Sequence, residues 1–213
     1  MRPPAQPSSD FFHPLDAILG TPAAVRILRV LSLHRGAMSR TAIAERSGLG
    51  RAGASRAIER LVRARVIASL GDPSRPLFEL SDEHPLATKV RKLFQAEAER
   101  TDDFFERVRD AASTIRPAAE AIWLIGSAAQ GEDSVASDVA VAVVFSTPGR
   151  PALKPFNAKI HDAAAVAGLR VSLSGISLAE LSEHARTNDS WWRNLVRDAV
   201  PLVGRAPASL ING

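Results

Sequence analysis

Glycines divide the stretch from Pro22 to Ala64 into three short helical segments, and two brief apolar segments around a six-residue turn follow directly. The first segment opens with Thr21 as N-cap and Pro22 at the first helical position, where a missing amide proton costs nothing, and its apolar residues recur at intervals of three and four. Gly36 ends it. Ser39 caps a second helix running through Arg46, and Gly48 supplies the left-handed residue that closes a helix C-terminus. Leu49-Gly50 is then a tight turn into a third helix, from Arg51 to Ala64. That helix turns Ala54, Ile58, Leu61 and Val62 to one side and Ser55, Arg56, Glu59, Arg60 and Arg63 to the other. The segments Val66–Leu70 and Leu77–Leu80, joined by Gly71-Asp72-Pro73-Ser74-Arg75-Pro76, read as a β-hairpin tipped by Arg75.

Charge follows the same division. From Pro22 to Ser81 there are eleven arginines against four acids, a net charge of +7, whereas residues 101–213 carry a net charge of −2. A basic module of this kind is suited to a polyanion. The order of elements, three helices with a short turn before the last and then a hairpin, resembles the winged helix-turn-helix of bacterial transcription regulators across residues 13–81. That resemblance implies binding to double-stranded DNA, with the helix from Arg51 in the major groove. Arg51, Ser55 and Arg56 would then meet base edges, and Arg60, Arg63 and the wing residue Arg75 would meet phosphates. The two roles differ in kind. A bidentate arginine on guanine discriminates by about 1–3 kcal/mol, while a phosphate contact adds affinity and a salt slope of roughly −0.9 per charge without reading sequence.

The chain has no cysteine, which excludes disulfides, thiolate metal sites and cysteine nucleophiles. No apolar run approaches the roughly 20 residues needed to span a bilayer, and no apolar segment follows Arg2, so the expectation is a cytoplasmic protein with no membrane contact. Residues 1–12 read as a disordered lead-in. After a turn at Ser81–Pro85, residues 82–116 form a helical connector, because no Gly or Pro interrupts the chain from Leu86 to Ile115. Its apolar residues Leu86, Val90, Leu93 and Phe94 are separated from Phe104, Phe105, Val108 and Ile115 by a polar gap, Glu97–Asp103. The gap implies either two helices or one helix with two burial partners. Part of the stripe is a candidate dimer interface, since helix-turn-helix proteins commonly bind paired half-sites as homodimers. His84 reads as a turn residue.

Residues 117–213 interleave strands with helices: strands at Ala121–Ile125, Val139–Phe145 and Leu169–Leu173, and helices at Lys154–Ala167, Leu178–Arg186 and after Ser190. The whole chain is therefore α+β, its C-terminal domain an α/β unit with a small mixed sheet. Within that unit GSAAQGEDSVASDVAVAVV resembles the minimal nucleotidyltransferases of the DNA polymerase β superfamily, whose pattern is a Gly-Ser turn, a polar loop and Asp-hydrophobic-Asp at a strand start. The similarity extends over residues 118–205. It implies nucleotide contacts at Gly126, Ser127 and Asp138. It also implies a two-metal site, because residues i and i+2 of a strand project on one face about 6.6 Å apart and two carboxylates there converge on hard cations.

This sequence departs from that pattern where the chemistry resides. The second carboxylate position is Ala140, and the position expected to bring a third from a later strand is Ser172. Glu132 and Asp133 lie in the loop before the strand and lack the i, i+2 geometry. No catalytic residue, metal ligand or cofactor is therefore expected, with Mg²⁺ required only if the site were active. Trp191 and Trp192 are read as core or interface in preference to a base-stacking platform. The combined reading is a DNA-binding transcriptional regulator, a homodimer whose inactive nucleotidyltransferase-like domain serves sensing, through a nucleotide ligand, or dimerisation. Two alternatives are a nucleotidyltransferase acting on protein, RNA or a small molecule, and an antitoxin-like partner protein.

Overall fold

The computed structural model describes residues 14–115, 119–134, 136–146 and 154–211. The lead-in proposed for residues 1–12 lies outside them. The chain divides into two compact units, one ending at Glu99 and the other beginning at Arg100. Among the described residues no helix is long and apolar enough to cross a membrane.

The first unit begins with α1 (Pro14–Leu19) and α2 (Pro22–Leu33). Thr21 caps α2, its hydroxyl accepting the Ala24 amide at 3.2 Å. A two-residue strand, β1 (Met38–Ser39), leads into α3 (Arg40–Ser47), whose N-cap Ser39 accepts the Ala42 amide at 3.3 Å. Gly48 closes α3 at φ +63°, and Gly50 opens α4 (Arg51–Arg63) with no side-chain cap. The wing follows as β2 (Ile67–Leu70) and β3 (Leu77–Leu80), antiparallel with Ser69 opposite Phe78. Its turn is held by Asp72, whose carboxylate accepts the Ser74 amide at 2.7 Å and whose carbonyl accepts the Arg75 amide at 2.9 Å. β1 adds to the outer side of β3 through Met38 opposite Phe78, making a three-stranded sheet where the sequence pattern implies a hairpin. Two residues are too few to carry an alternating pattern, so β1 left no periodic signal. Ile18, Ile27, Leu28, Ile43, Ile58, Leu61 and Phe78 form the core of this unit.

α5 (Ala87–Ala112) is one continuous helix across the polar gap. Val90 and Phe94 are buried in the core of the first unit, and Phe104, Val108, Ala111 and Ala112 in that of the second. The gap therefore marks a change of burial partner. Leu93, which the apolar stripe includes, is 55% exposed.

The second unit continues with β4 (Ala119–Ile125), α6 (Gly126–Gln130), β5 (Val139–Phe145), α7 (Lys154–Val166), β6 (Val171–Ser177), α8 (Leu178–Thr187), α9 (Ser190–Asp198), β7 (Val200–Val203) and α10 (Pro207–Ile211). The sheet order is β6-β5-β4-β7, with β5 and β6 parallel and the other pairs antiparallel. It is the small mixed sheet the alternation of elements implies, and α7 is the crossover that a parallel pair requires. Both faces are covered: Ile122, Leu124, Val141 and Val143 meet α5 and α7, while Ala121, Trp123, Ala142 and Val144 meet the α8–α10 side. Burial on two faces explains why Val141–Phe145 is apolar at every position.

One strand boundary needs correction. The expected strand Leu169–Leu173 is instead Val171–Ser177. Gly168, at φ +63°, and the bond from the Leu169 amide to the Ala164 carbonyl (2.8 Å) still belong to the end of α7. The strand then runs on through Ser174-Gly175-Ile176-Ser177, a segment in which Ile176 alone favours a strand and which takes its conformation from the parallel register with β5.

Candidate nucleic-acid interface

α4 carries four arginines and one glutamate, and its apolar face is sealed by Ala54, Ala57, Ile58 and Leu61. Val62, assigned to that face by its spacing, is only half-buried. Arg51, Arg56 and Arg63 are exposed; Ser55 and Arg60 are half-buried. Arg75 is exposed on the turn between β2 and β3, which Asp72 braces. The carboxyl of Asp72 is held below its usual range by the backbone and side-chain hydrogen bonds with Ser74.

The fold brings Arg63 of α4 and the wing residues Pro73 and Pro76 to one groove of about 530 Å³, whose floor includes Ile58, Val62 and Phe78. Arg40 lines it too, and the sequence reading missed it. Its Nη1 lies 3.4 Å from Glu59 Oε1, and its guanidinium carbon lies 5.3 Å from the centre of the Phe78 ring. One signal was available in the sequence. Arg40 directly follows the N-cap Ser39, where the helix dipole disfavours a cation, so helix stability does not account for it.

The second-unit residues for which the sequence resemblance implies nucleotide contacts lie at one end of the sheet, Gly126 and Ser127 just after β4 and Asp138 just before β5. Gly126 stands at φ +72° where β4 passes into α6, and Ile125 pairs with Ala140 across the sheet. Ala140 lies beside Ser172 in the parallel register of β5 and β6. The two positions that would need carboxylates are therefore neighbours, and both lack one. The remaining carboxylate is engaged: Asp138 Oδ1 accepts Arg170 Nε at 3.0 Å, and Arg170 also donates to the Ala136 carbonyl. Glu132 and Asp133 are exposed. Among the described residues no group of three or more His, Asp or Glu is arranged to hold a metal ion, and a magnesium pair does not fit the donor set Asp138, Ala140 and Ser172. α6, which begins at Gly126 and contains Ser127, is five residues long.

The adjacent tryptophans separate. Trp192 packs on the core of the α8–α10 face, whereas Trp191 is 38% exposed and its ring centre lies 4.5 Å from that of His184. Trp191 lines a pocket of about 210 Å³ together with Gly126, Gln130, Asn194 and Asp198. The core assignment thus fits Trp192, while Trp191 stands outside the core cluster because α9 turns it toward the pocket. His184 Nδ1 lies 2.6 Å from Asp189 Oδ2, and Asp189 also accepts the Trp192 amide at 2.8 Å as the N-cap of α9. These contacts, His184 first, lower the Asp189 carboxyl from its ordinary value.

Residues 21–74 match the model of the MarR family. The N-terminal unit therefore contains a MarR-family winged helix-turn-helix domain. No curated protein matches the chain. Among solved structures, the PcaV transcriptional regulator of Streptomyces coelicolor is similar over 40% of this chain and 59% of its own length, at 25% identity and a TM-score of 0.30. The homodimeric winged helix-turn-helix DNA-binding domain of a possible ArsR-family regulator from Mycobacterium bovis is similar over 48% of this chain and 92% of its own, at 18% identity and a TM-score of 0.34. The adhesin competence repressor of Streptococcus pyogenes is similar over 46% of this chain and 77% of its own, at 21% identity and a TM-score of 0.34. The chain thus spans just under three-fifths of the length of PcaV.

Proposed function

We propose that this chain is a DNA-binding transcriptional regulator of MarR type that acts as a homodimer. The observation that carries the reading is the MarR-family match over the segment whose α4 presents Arg51, Arg56 and Arg63 to solvent. In this reading α4 enters the major groove, with Arg51, Ser55 and Arg56 at base edges and Arg60, Arg63 and Arg75 on phosphates. Residues 13–81 are the DNA-binding domain, 82–116 the helical connector and 117–213 a nucleotidyltransferase-like domain.

That second domain has lost the reaction and serves sensing or dimerisation. The pairing of Ala140 with Ser172 and the engagement of Asp138 by Arg170 support the loss. Gly126, Ser127 and Asp138 remain the residues at which a nucleotide would be sensed.

Selection of bound duplexes from random DNA, at physiological salt and with and without nucleoside triphosphates, tests both halves of the reading. A two-half-site consensus is the expected product, and triphosphate should change the affinity for it. Binding without sequence preference would refute the regulator. A consensus whose affinity ignores every triphosphate would remove nucleotide sensing and leave dimerisation.

A further inference from the structure

Glu59 is the single acid on a helix with four arginines, and its side chain is 61% exposed. It neither supports the fold core nor suits a surface that meets a polyanion. What it does touch is Arg40, at 3.4 Å, long for a charge-assisted bond and open to solvent on both sides. Such a pair is weak and easily exchanged. The Phe78 ring beneath Arg40 is itself only 3% exposed and backed by the core of the first unit, so the guanidinium keeps a fixed platform whichever anion it faces. Arg40 and Arg63 line the same groove between α4 and the β2–β3 turn, a cleft of about 530 Å³ with Pro73 and Pro76 on its wing side.

We infer that this groove seats one phosphodiester strand of the DNA, and that Arg40 is a phosphate contact held over Phe78 by Glu59 in the free protein and transferred to the nucleic acid on binding. The inference rests on the regulator reading and adds to it a contact and a resting partner for that contact. The first helix of a helix-turn-helix crosses the backbone while the second lies in the major groove, and Arg40 opens the first. The occupant follows from charge and shape: two guanidiniums line an open cleft beside the reading helix, and a guanidinium matches phosphate oxygens in a bidentate fork. Glu59 has two consequences. It gives the Arg40 guanidinium a weak resting partner before DNA arrives, and its own charge opposes the incoming strand, lowering affinity for every sequence alike.

The test is fluorescence anisotropy of the full chain on its selected operator duplex and on a scrambled duplex, from about 50 to 200 mM salt, the range over which phosphate contacts are read. Arg40→Ala should reduce the steepness of log affinity against log salt by about 0.9 and weaken both duplexes by the same factor. Arg40→Lys should keep the slope, and Glu59→Gln should tighten both duplexes. An unchanged slope in Arg40→Ala, a loss confined to the operator, or weaker binding by Glu59→Gln overturns the inference. Circular dichroism melts of each variant separate a lost contact from a lost fold. The two readings fail differently. A wild-type chain with no operator preference overturns the regulator and this seat with it, whereas operator preference with an unchanged Arg40→Ala slope overturns the seat alone.

Discussion

Gly126→Ala and Gly204→Ala should separate two reasons for which a chain keeps a glycine. Both residues are left-handed, at φ +72° and +76°, and an alanine held there costs about 1–2 kcal/mol from the clash of its Cβ with its own backbone. At Gly126 nothing more is added, because the new Cβ would meet only the Ala140 Cβ at 3.6 Å, an ordinary contact. At Gly204 the new Cβ would overlap the Glu120 carbonyl oxygen and lie 3.0 Å from Ala121 Cα. Those atoms belong to β4, an inner strand of the sheet, so the chain leaving β7 must shift and add about 1–3 kcal/mol of overpacking. The expected losses are about 1–2 kcal/mol for Gly126→Ala and about 2–5 kcal/mol for Gly204→Ala. Urea titration followed by tryptophan fluorescence measures both cleanly, since Trp123, Trp191 and Trp192 all lie in the second unit. With a urea slope of about 2 kcal/mol per molar, Gly126→Ala should lower the midpoint by about 0.5–1 M and Gly204→Ala by more. A Gly126→Ala variant with the wild-type midpoint would refute the left-handed turn that opens α6. One as unstable as Gly204→Ala would refute the unstrained contact with Ala140.

Three further outcomes are expected. Arg56→Ala should weaken operator binding by about 1–3 kcal/mol and relax the consensus at one position, while Arg75→Ala should weaken all sequences alike and reduce the salt slope by about 0.9; a selection experiment and a salt titration distinguish them. Asp138→Asn should change the urea midpoint of the second unit by an amount equivalent to less than about 1 kcal/mol, because its partner Arg170 is exposed, and Mg²⁺ should shift neither wild type nor variant; a magnesium-dependent rise in the wild type alone would restore a metal site. The Asp189 carboxyl is lowered chiefly by its bond to His184, so its contribution to stability is complete above the ordinary carboxylate range near pH 4 and is lost as pH falls through the depressed value. Asp189→Asn should flatten that acid limb in fluorescence-detected unfolding, and an unchanged limb would show that the pair adds nothing to the fold.

How much of this fold is legible in the sequence depends on how local each determinant is. Thr21, Ser39 and Gly48 act within one turn of their own helices, and each performs the capping role its residue type implies. The capping box of α8 is equally local: Ser177 accepts the Glu180 amide at 3.1 Å while the Glu180 carboxylate accepts the Ser177 amide at 2.8 Å. β1, β7 and the far half of β6 went unread for the opposite reason. Met38–Ser39 exists as a strand only because Phe78 and Leu77 are already paired into the wing, and Val200–Val203 includes a proline that an edge position tolerates. The polar gap in α5 is a third case. Sequence shows that Glu97–Asp103 has nothing to bury, and only the fold tells whether the helix breaks there or changes partner.

The same distinction decides which candidate residues could be found. Arg51, Arg56, Arg63 and Arg75 are visible because a cationic helix face and a hairpin tip are local patterns. Arg40 carries a local signal in its place after the N-cap Ser39, but its partners Glu59 and Phe78 lie 19 and 38 positions away and meet it only after α4 and the wing have packed. Arg170 is non-local in the same way. Its partner Asp138 is 32 residues distant, and the two come side by side one residue before the paired ends Val139 and Val171, once α7 has carried the chain across. Ala140 and Ser172 bring no negative charge to this end of the sheet, whereas Asp138 on its own would attract a cation. The Arg170 guanidinium occupies that carboxylate, so all three residues act against a bound metal, while Gly126 gives the turn into α6 its left-handed start.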